Sequence, residues 1–154
     1  MTSGVIEVRR PVQQPASGIV HHTTEELRMS GTTTTVVDVH LAAYTEPDRG
    51  RRAELIARAW APEGQLVDPP LTGAGHDGIA EAADLLLAQF AGHRFRRTTV
   101  VEEHHGDFRY GWELVGPGGE VALTGLDVGA LAEDGRLARV TGFFGELAPA
   151  EVVT

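Results

Sequence analysis

Two aspartates, Asp68 and Asp127, stand where a carboxylate is least expected in this chain, and both belong to the groups that move protons. Asp127 is the one charge in the eleven-residue run 121–131, whose alternating positions are otherwise apolar or small on both faces. That pattern predicts a central strand covered on both sides. A carboxylate there must pair with a cation, keep its proton or line a polar cavity, because an isolated buried charge is costly. Arg109 and Arg139 on neighbouring runs are the candidate cations, and capping of a loop is the other structural role open to it. Asp68 shares parity with Leu66 and precedes Pro69 and Pro70, so it is either turn chemistry at a strand end or an inward-facing acid. His40 and Tyr44, one helical turn apart on an apolar stripe, could donate hydrogen bonds into the same interior or simply belong to the core.

The residue types that are missing narrow the chemistry further. There is no Cys and no Lys, and the three serines, Ser3, Ser17 and Ser30, all lie near the N-terminus. Thiolate, Schiff-base and Ser-His-Asp mechanisms therefore have no residues in the body of the chain. Seven His invite a metal, but no dense ligand spacing of the His-Glu-x-x-His kind is present, and no metal or cofactor is expected. Thirteen Arg against twenty-two Asp and Glu give a net charge of -9, which disfavours a nucleic-acid partner. The clusters Arg49, Arg51, Arg52 and Arg94, Arg96, Arg97 read as solvated faces. No apolar run reaches the roughly 20 residues that span a bilayer, and no secretory layout opens the chain, so a cytoplasmic protein is expected.

The elements that must position these groups follow from periodicity. Residues 1–31, with few large apolar side chains and several Pro and Gly, read as a loose extension in which Met29 could be an alternative start and His21 and His22 are solvated. Residues 32–148 form the domain and 149–154 a tail. Val37, His40, Leu41 and Tyr44 mark a first helix from Thr32. A second runs over about 48–60 and a third over about 77–91, with Gly92 as its C-terminal stop. A short strand covers 65–68, and four strand-like runs at 93–103, 108–115, 120–131 and 136–147 form a meander. The fold class is thus α+β, three helices packed on a curved, mainly antiparallel sheet.

This order, together with Val67-Asp68-Pro69, Gly75-His76-Asp77-Gly78-Ile79, Thr124-Gly125-Leu126-Asp127 and Gly142-Phe143-Phe144-Gly145, resembles the nuclear transport factor 2-like superfamily, in particular its SnoaL-like and ketosteroid isomerase members. The resemblance covers residues 36–147 and implies a cone-shaped α+β barrel, a homodimer and a pocket for a small apolar ligand. Ketosteroid isomerases keep one carboxylic acid neutral in an apolar site. In them the acid of the Asp-Pro strand end is the base, and the later, protonated Asp holds the enolate oxygen. Asp68 and Asp127 match those positions, whereas the isomerase Tyr-x-Ala-Ala motif here reads His40-Leu41-Ala42-Ala43, leaving His40 or Tyr44 to stand in. The implied catalytic set is Asp68, Asp127, His40 and Tyr44, with Trp60, Phe90, Trp112 and Phe144 as the apolar wall. A limonene epoxide hydrolase is less similar, because Gly125 stands where those enzymes carry an Arg. The expected function is a metal-free isomerase or cyclase moving a proton on a small apolar carbonyl compound, steroid-like or polyketide-like. The alternative is a non-catalytic ligand-binding or dimerisation domain of the same fold.

Overall fold

A computed structural model describes residues 24–151 of the chain. Three helices, α1 (Thr24–Tyr44), α2 (Arg49–Ala59) and α3 (Gly75–Gln89), pack on one face of a seven-stranded sheet. The strands are β1 (Trp60–Asp68), β2 (Leu71–Ala74), β3 (Arg94–Arg97), β4 (Glu102–His104), β5 (Asp107–Val115), β6 (Val121–Leu131) and β7 (Leu137–Phe144). Their order across the sheet is β2-β1-β7-β6-β5-β3, with β4 sharing the β5 edge. Strands β5, β6 and β7 form the expected antiparallel meander, while β1 runs parallel to β7. The sheet is therefore mixed and does not close, and the helices fill the hollow of an open cone.

Several boundaries differ from those read in the sequence. The first helix begins at Thr24 rather than Thr32 and carries Gly31 within it. Glu25, Glu26, Leu27, Arg28 and Met29 are good helix formers, and one interior glycine costs only about 1 kcal/mol. Residues 1–23, including His21 and His22, lie outside the described residues, as do residues 152–154 of the expected tail. The second helix is as expected, with Asp48 capping it by accepting from the Arg51 N–H, but Trp60 ends the helix and opens β1. β1 starts five residues early because an irregularity between Trp60 and Gln65 absorbs Pro62 and Gly64. β2 is an addition to the expected elements: the chain reverses through Pro69-Pro70 and returns antiparallel on β1. The single expected run at 93–103 is two strands, β3 and β4, broken at 98–101.

Arg52, expected outside, is buried. Its guanidinium donates to the Glu46 carbonyl and to Asp84, tying the α1–α2 turn to α3. The expectation that β6 is covered on both faces also fails within one chain. The helices cover only the inner face, leaving Thr124 exposed and Leu126 and Val128 less than fully buried on the other.

On the inner face the glycines of the central strands lie beneath large side chains. A Cβ on Gly125 would strike the Trp112 ring, and one on Gly129 would strike Phe108. Glycine in a strand interior is tolerated where something approaches this closely. These two positions let the β5 aromatics Trp112 and Phe108 approach β6 closely. Gly129→Ala is expected to destabilise the fold by about 1–3 kcal/mol through overpacking, measured by urea unfolding with an unchanged m-value.

Candidate functional site

The sheet register brings Asp68, Gly142, Asp127 and Tyr110 into one row across four adjacent strands. Asp127 pairs with Gly142 on one side and Tyr110 on the other, and the β1–β7 register, ending at Val67 opposite Thr141, sets Asp68 beside Gly142. Both aspartates are 6% exposed. They approach one another over the one residue of the row that has no side chain. A Cβ on Gly142 would collide with Asp68 Oδ1 and stand 3.0 Å from Asp127 Oδ1.

Neither carboxylate meets a cation among the described residues. Arg109 pairs with Glu102, and Arg139 reaches Gln65 and Thr141, so both Arg partners considered for Asp127 are engaged elsewhere. Asp127 instead accepts from the Tyr110 hydroxyl at 2.6 Å and from the Trp112 indole N–H at 2.8 Å. Asp68 Oδ2 accepts from the Tyr44 hydroxyl at 3.2 Å, while its Oδ1 is buried without a hydrogen-bond partner among the described residues. Burial pushes Asp68 up to about 6 against the single opposing bond from Tyr44. Burial also pushes Asp127 up to about 7; its two donors oppose the shift and the charge of Asp68 adds to it. Two buried acids this close titrate as a pair, which holds about one proton near neutrality. Tyr44 and Tyr110 are raised above ordinary phenols, chiefly by burial and then by the carboxylates beside them, so both stay protonated donors.

The other expected site residues divide into two groups. Asp68, Phe90, Trp112 and Phe144 line a cavity of about 260 Å³ together with Phe95, Leu86 and Leu123. His40 and Trp60 do not line it: they are 1% and 0% exposed and bond to each other, the indole N–H donating to His40 Nδ1 at 3.1 Å. Burial pulls His40 down to about 3, so the ring is neutral, and an acceptor Nδ1 puts its proton on Nε2. His40 stacks on Tyr44 with ring centroids 5.7 Å apart and meets Trp60 edge-on at 5.1 Å. It therefore holds Tyr44 in place from behind. Tyr110 belongs to the site although it is not among the expected site residues. Its strand parity with Trp112 and its place opposite Asp127 in the hairpin contain the signal.

Among the described residues no three His, Asp or Glu side chains converge as a metal site, and no helix is long and apolar enough to cross a membrane.

A protein of the SnoaL-like family from Agrobacterium tumefaciens, named as a candidate isomerase, is similar to this chain at 34% identity and a TM-score of 0.70, the match covering 75% of this chain and 99% of that one. The chain belongs to the SnoaL-like family. A SnoaL-like candidate polyketide cyclase from Jannaschia shares the fold at 12% identity and a TM-score of 0.60, covering 80% of this chain and 90% of its own. A protein of ketosteroid isomerase-like fold from Catenulispora acidiphila does so at 12% identity and 0.56, over 70% and 83%. Scans of family models and of curated proteins give no match.

Both acids hold protons more tightly in the folded chain than at their ordinary 3.8. The stability they lend is therefore full below about 3.8 and is lost as pH rises through about 6 to 7. Asp127→Asn removes one of these penalties. Its stability relative to wild type is expected to improve by roughly 2–3 kcal/mol between pH 4.5 and pH 8, read from urea unfolding at the two pH values. An unchanged difference would mean that Asp127 ionises freely.

Proposed function

We propose that this SnoaL-like protein moves a proton on a small apolar carbonyl compound, as an isomerase or a cyclase. The observation that carries the reading is Asp68: it stands on the wall of an aromatic cavity, and its buried Oδ1, which has no partner among the described residues, lies on the side of a second acid. Asp68 is the general base, and its pKa of about 6 suits a base that works near neutrality. It takes a proton from the carbon beside the carbonyl, and the electron pair moves onto the carbonyl oxygen. Asp127, protonated and held by Tyr110 and Trp112, donates a hydrogen bond to that enolate oxygen. In a β,γ-unsaturated compound the enolate is a dienolate, and return of the proton from Asp68 to its γ-carbon shifts the double bond, which is isomerisation. In a compound with a second carbonyl, the enolate carbon bonds to that carbonyl carbon as its C=O π bond breaks, and the resulting alkoxide takes the proton from Asp68, which is ring closure.

Tyr44 steadies the base through Asp68 Oδ2, and His40 supports Tyr44 without meeting the substrate. The cavity of about 260 Å³ is at the low end for ligand pockets, which favours compact rings over extended ones. The second reading, a domain that binds or dimerises without catalysis, is supported by the outer sheet face, where Phe143, opposite Leu126, is 55% exposed. On that reading the two copies pair through this face.

Deuterium exchange at the α-carbon of small cyclic ketones, followed by NMR, separates the two readings. Asp68→Asn is expected to slow enzyme-dependent exchange by about 100-fold or more, and Asp127→Asn by at least about 10-fold. If both variants exchange at the wild-type rate, the proton-transfer reading is wrong. The wild-type rate should rise as Asp68 ionises near 6 and fall as Asp127 loses its proton near 7, giving a bell with its top between those values.

A further inference from the structure

The third interior glycine of the inner face differs from the other two. Over Gly125 lie the Trp112 ring and the Phe143 carbonyl, and over Gly129 the Arg139 carbonyl and the Phe108 ring, so both are explained by aromatic packing and the close approach of the β7 backbone. Over Gly142 lies a carboxylate. Of the heavy atoms nearest a Cβ there, two belong to Asp68 and one is Asp127 Oδ1. Strand glycines weaken a sheet by roughly 0.5–1 kcal/mol relative to Ala, and nothing in the pairing of β7 with β1 or β6 requires the left-handed backbone that would otherwise explain one here.

We infer that Gly142 is a positioning residue of the site: the space left by its missing side chain lets Asp68 lean across β7 until it faces Asp127. The inference rests on the reading of these acids as a working pair. Its physical content is a distance. With two strand spacings of about 4.8 Å between their backbones, Asp68 and Asp127 can interact strongly only if a side chain crosses the strand between them. Any side chain at position 142 would stand in that path. The groups that face the pair are Tyr44 from α1 and Tyr110 and Trp112 from β5, all neutral donors, so nothing else among the described residues sets the charge coupling between the two acids.

Gly142→Ala is the test, read without any substrate so that the result is independent of whether turnover is found. In a ¹³C NMR titration of the Asp carboxyl carbons, Asp127 is expected to fall by about one pH unit or more in Gly142→Ala, toward its value in Asp68→Asn. Asp127 unmoved in a folded Gly142→Ala protein would overturn the inference. A steric readout accompanies it. Gly142→Ala should lower the melting temperature in wild type and do so several-fold less in an Asp68→Ala background, because the colliding carboxylate is gone. If Gly142→Ala alone fails to fold, recovery of folding in the Asp68→Ala, Gly142→Ala double variant supports the inference, and failure of both overturns it. Loss of ketone exchange in Asp68→Asn alongside an Asp127 titration that Gly142→Ala leaves unmoved would leave the proposed reaction standing and this inference fallen.

Discussion

Two carboxyl groups buried side by side, with no cation beside them among the described residues, constrain everything around them. Like charges in a low-dielectric interior repel strongly, and burial of each alone is already unfavourable, so the pair must keep a proton, and its remaining lone pairs need donors that bring no charge of their own. The protein meets this with Tyr44, Tyr110 and Trp112, three donors whose rings also fill the hollow of the cone. An Arg in their place would hold both acids ionised well below neutrality. Three of the four arginines of β3 and β5 are instead engaged at the surface, Arg109 with Glu102, Arg97 with Asp38 and Arg96 with Glu113.

The aromatic donors link the site to the packing of the helices. Tyr44 belongs to the buried stripe of α1, stacks on Phe95 of β3 with centroids 5.3 Å apart, and is backed by His40. His40 in turn is fixed by the indole of Trp60, the residue at which α2 becomes β1. Eight residues later the same strand ends in Asp68. A chain of contacts therefore runs from the start of β1 through α1 and back to the end of β1, so the Tyr44 hydroxyl and the Asp68 carboxylate are set by one packed unit. This explains why a neutral His sits in the core. A charged imidazole would have to be desolvated, whereas the neutral ring accepts the Trp60 N–H and offers an apolar face to Tyr44.

The parts of this arrangement visible in the sequence are those governed by local pattern. The stripe of Val37, His40, Leu41 and Tyr44 is buried as its spacing predicts, and the anomaly of Asp127 in an apolar strand marks a buried acid with a raised proton affinity. The hidden parts depend on register and on neighbours distant in sequence. Trp60 and Phe90 both sit on apolar helix stripes, yet only Phe90 reaches the cavity, because Trp60 turns inward to His40 at the helix-to-strand junction. Tyr110 is indistinguishable from Phe108 and Trp112 as a core aromatic until the β5–β6 pairing sets it opposite Asp127. β2 is hidden because four residues between two prolines and a helix carry too little alternation to show a strand.

The two acids are unequal, and the inequality has a structural origin. Asp127 lies in the middle of β6 with both oxygens engaged by β5 donors, so its orientation is fixed, and it sits behind the cavity wall that Asp68 and Trp112 form. Asp68 ends a strand before two prolines that cannot extend the ladder, stands on the cavity wall, accepts one hydroxyl and leaves one oxygen without a partner among the described residues. A group that gains and loses a proton on each turnover benefits from an unencumbered oxygen and a place where the backbone ends. A group that holds a proton in readiness benefits from the opposite. The strand middle and the strand end provide these two environments within one row of the sheet, and Asp68 and Asp127 are the acids that occupy them.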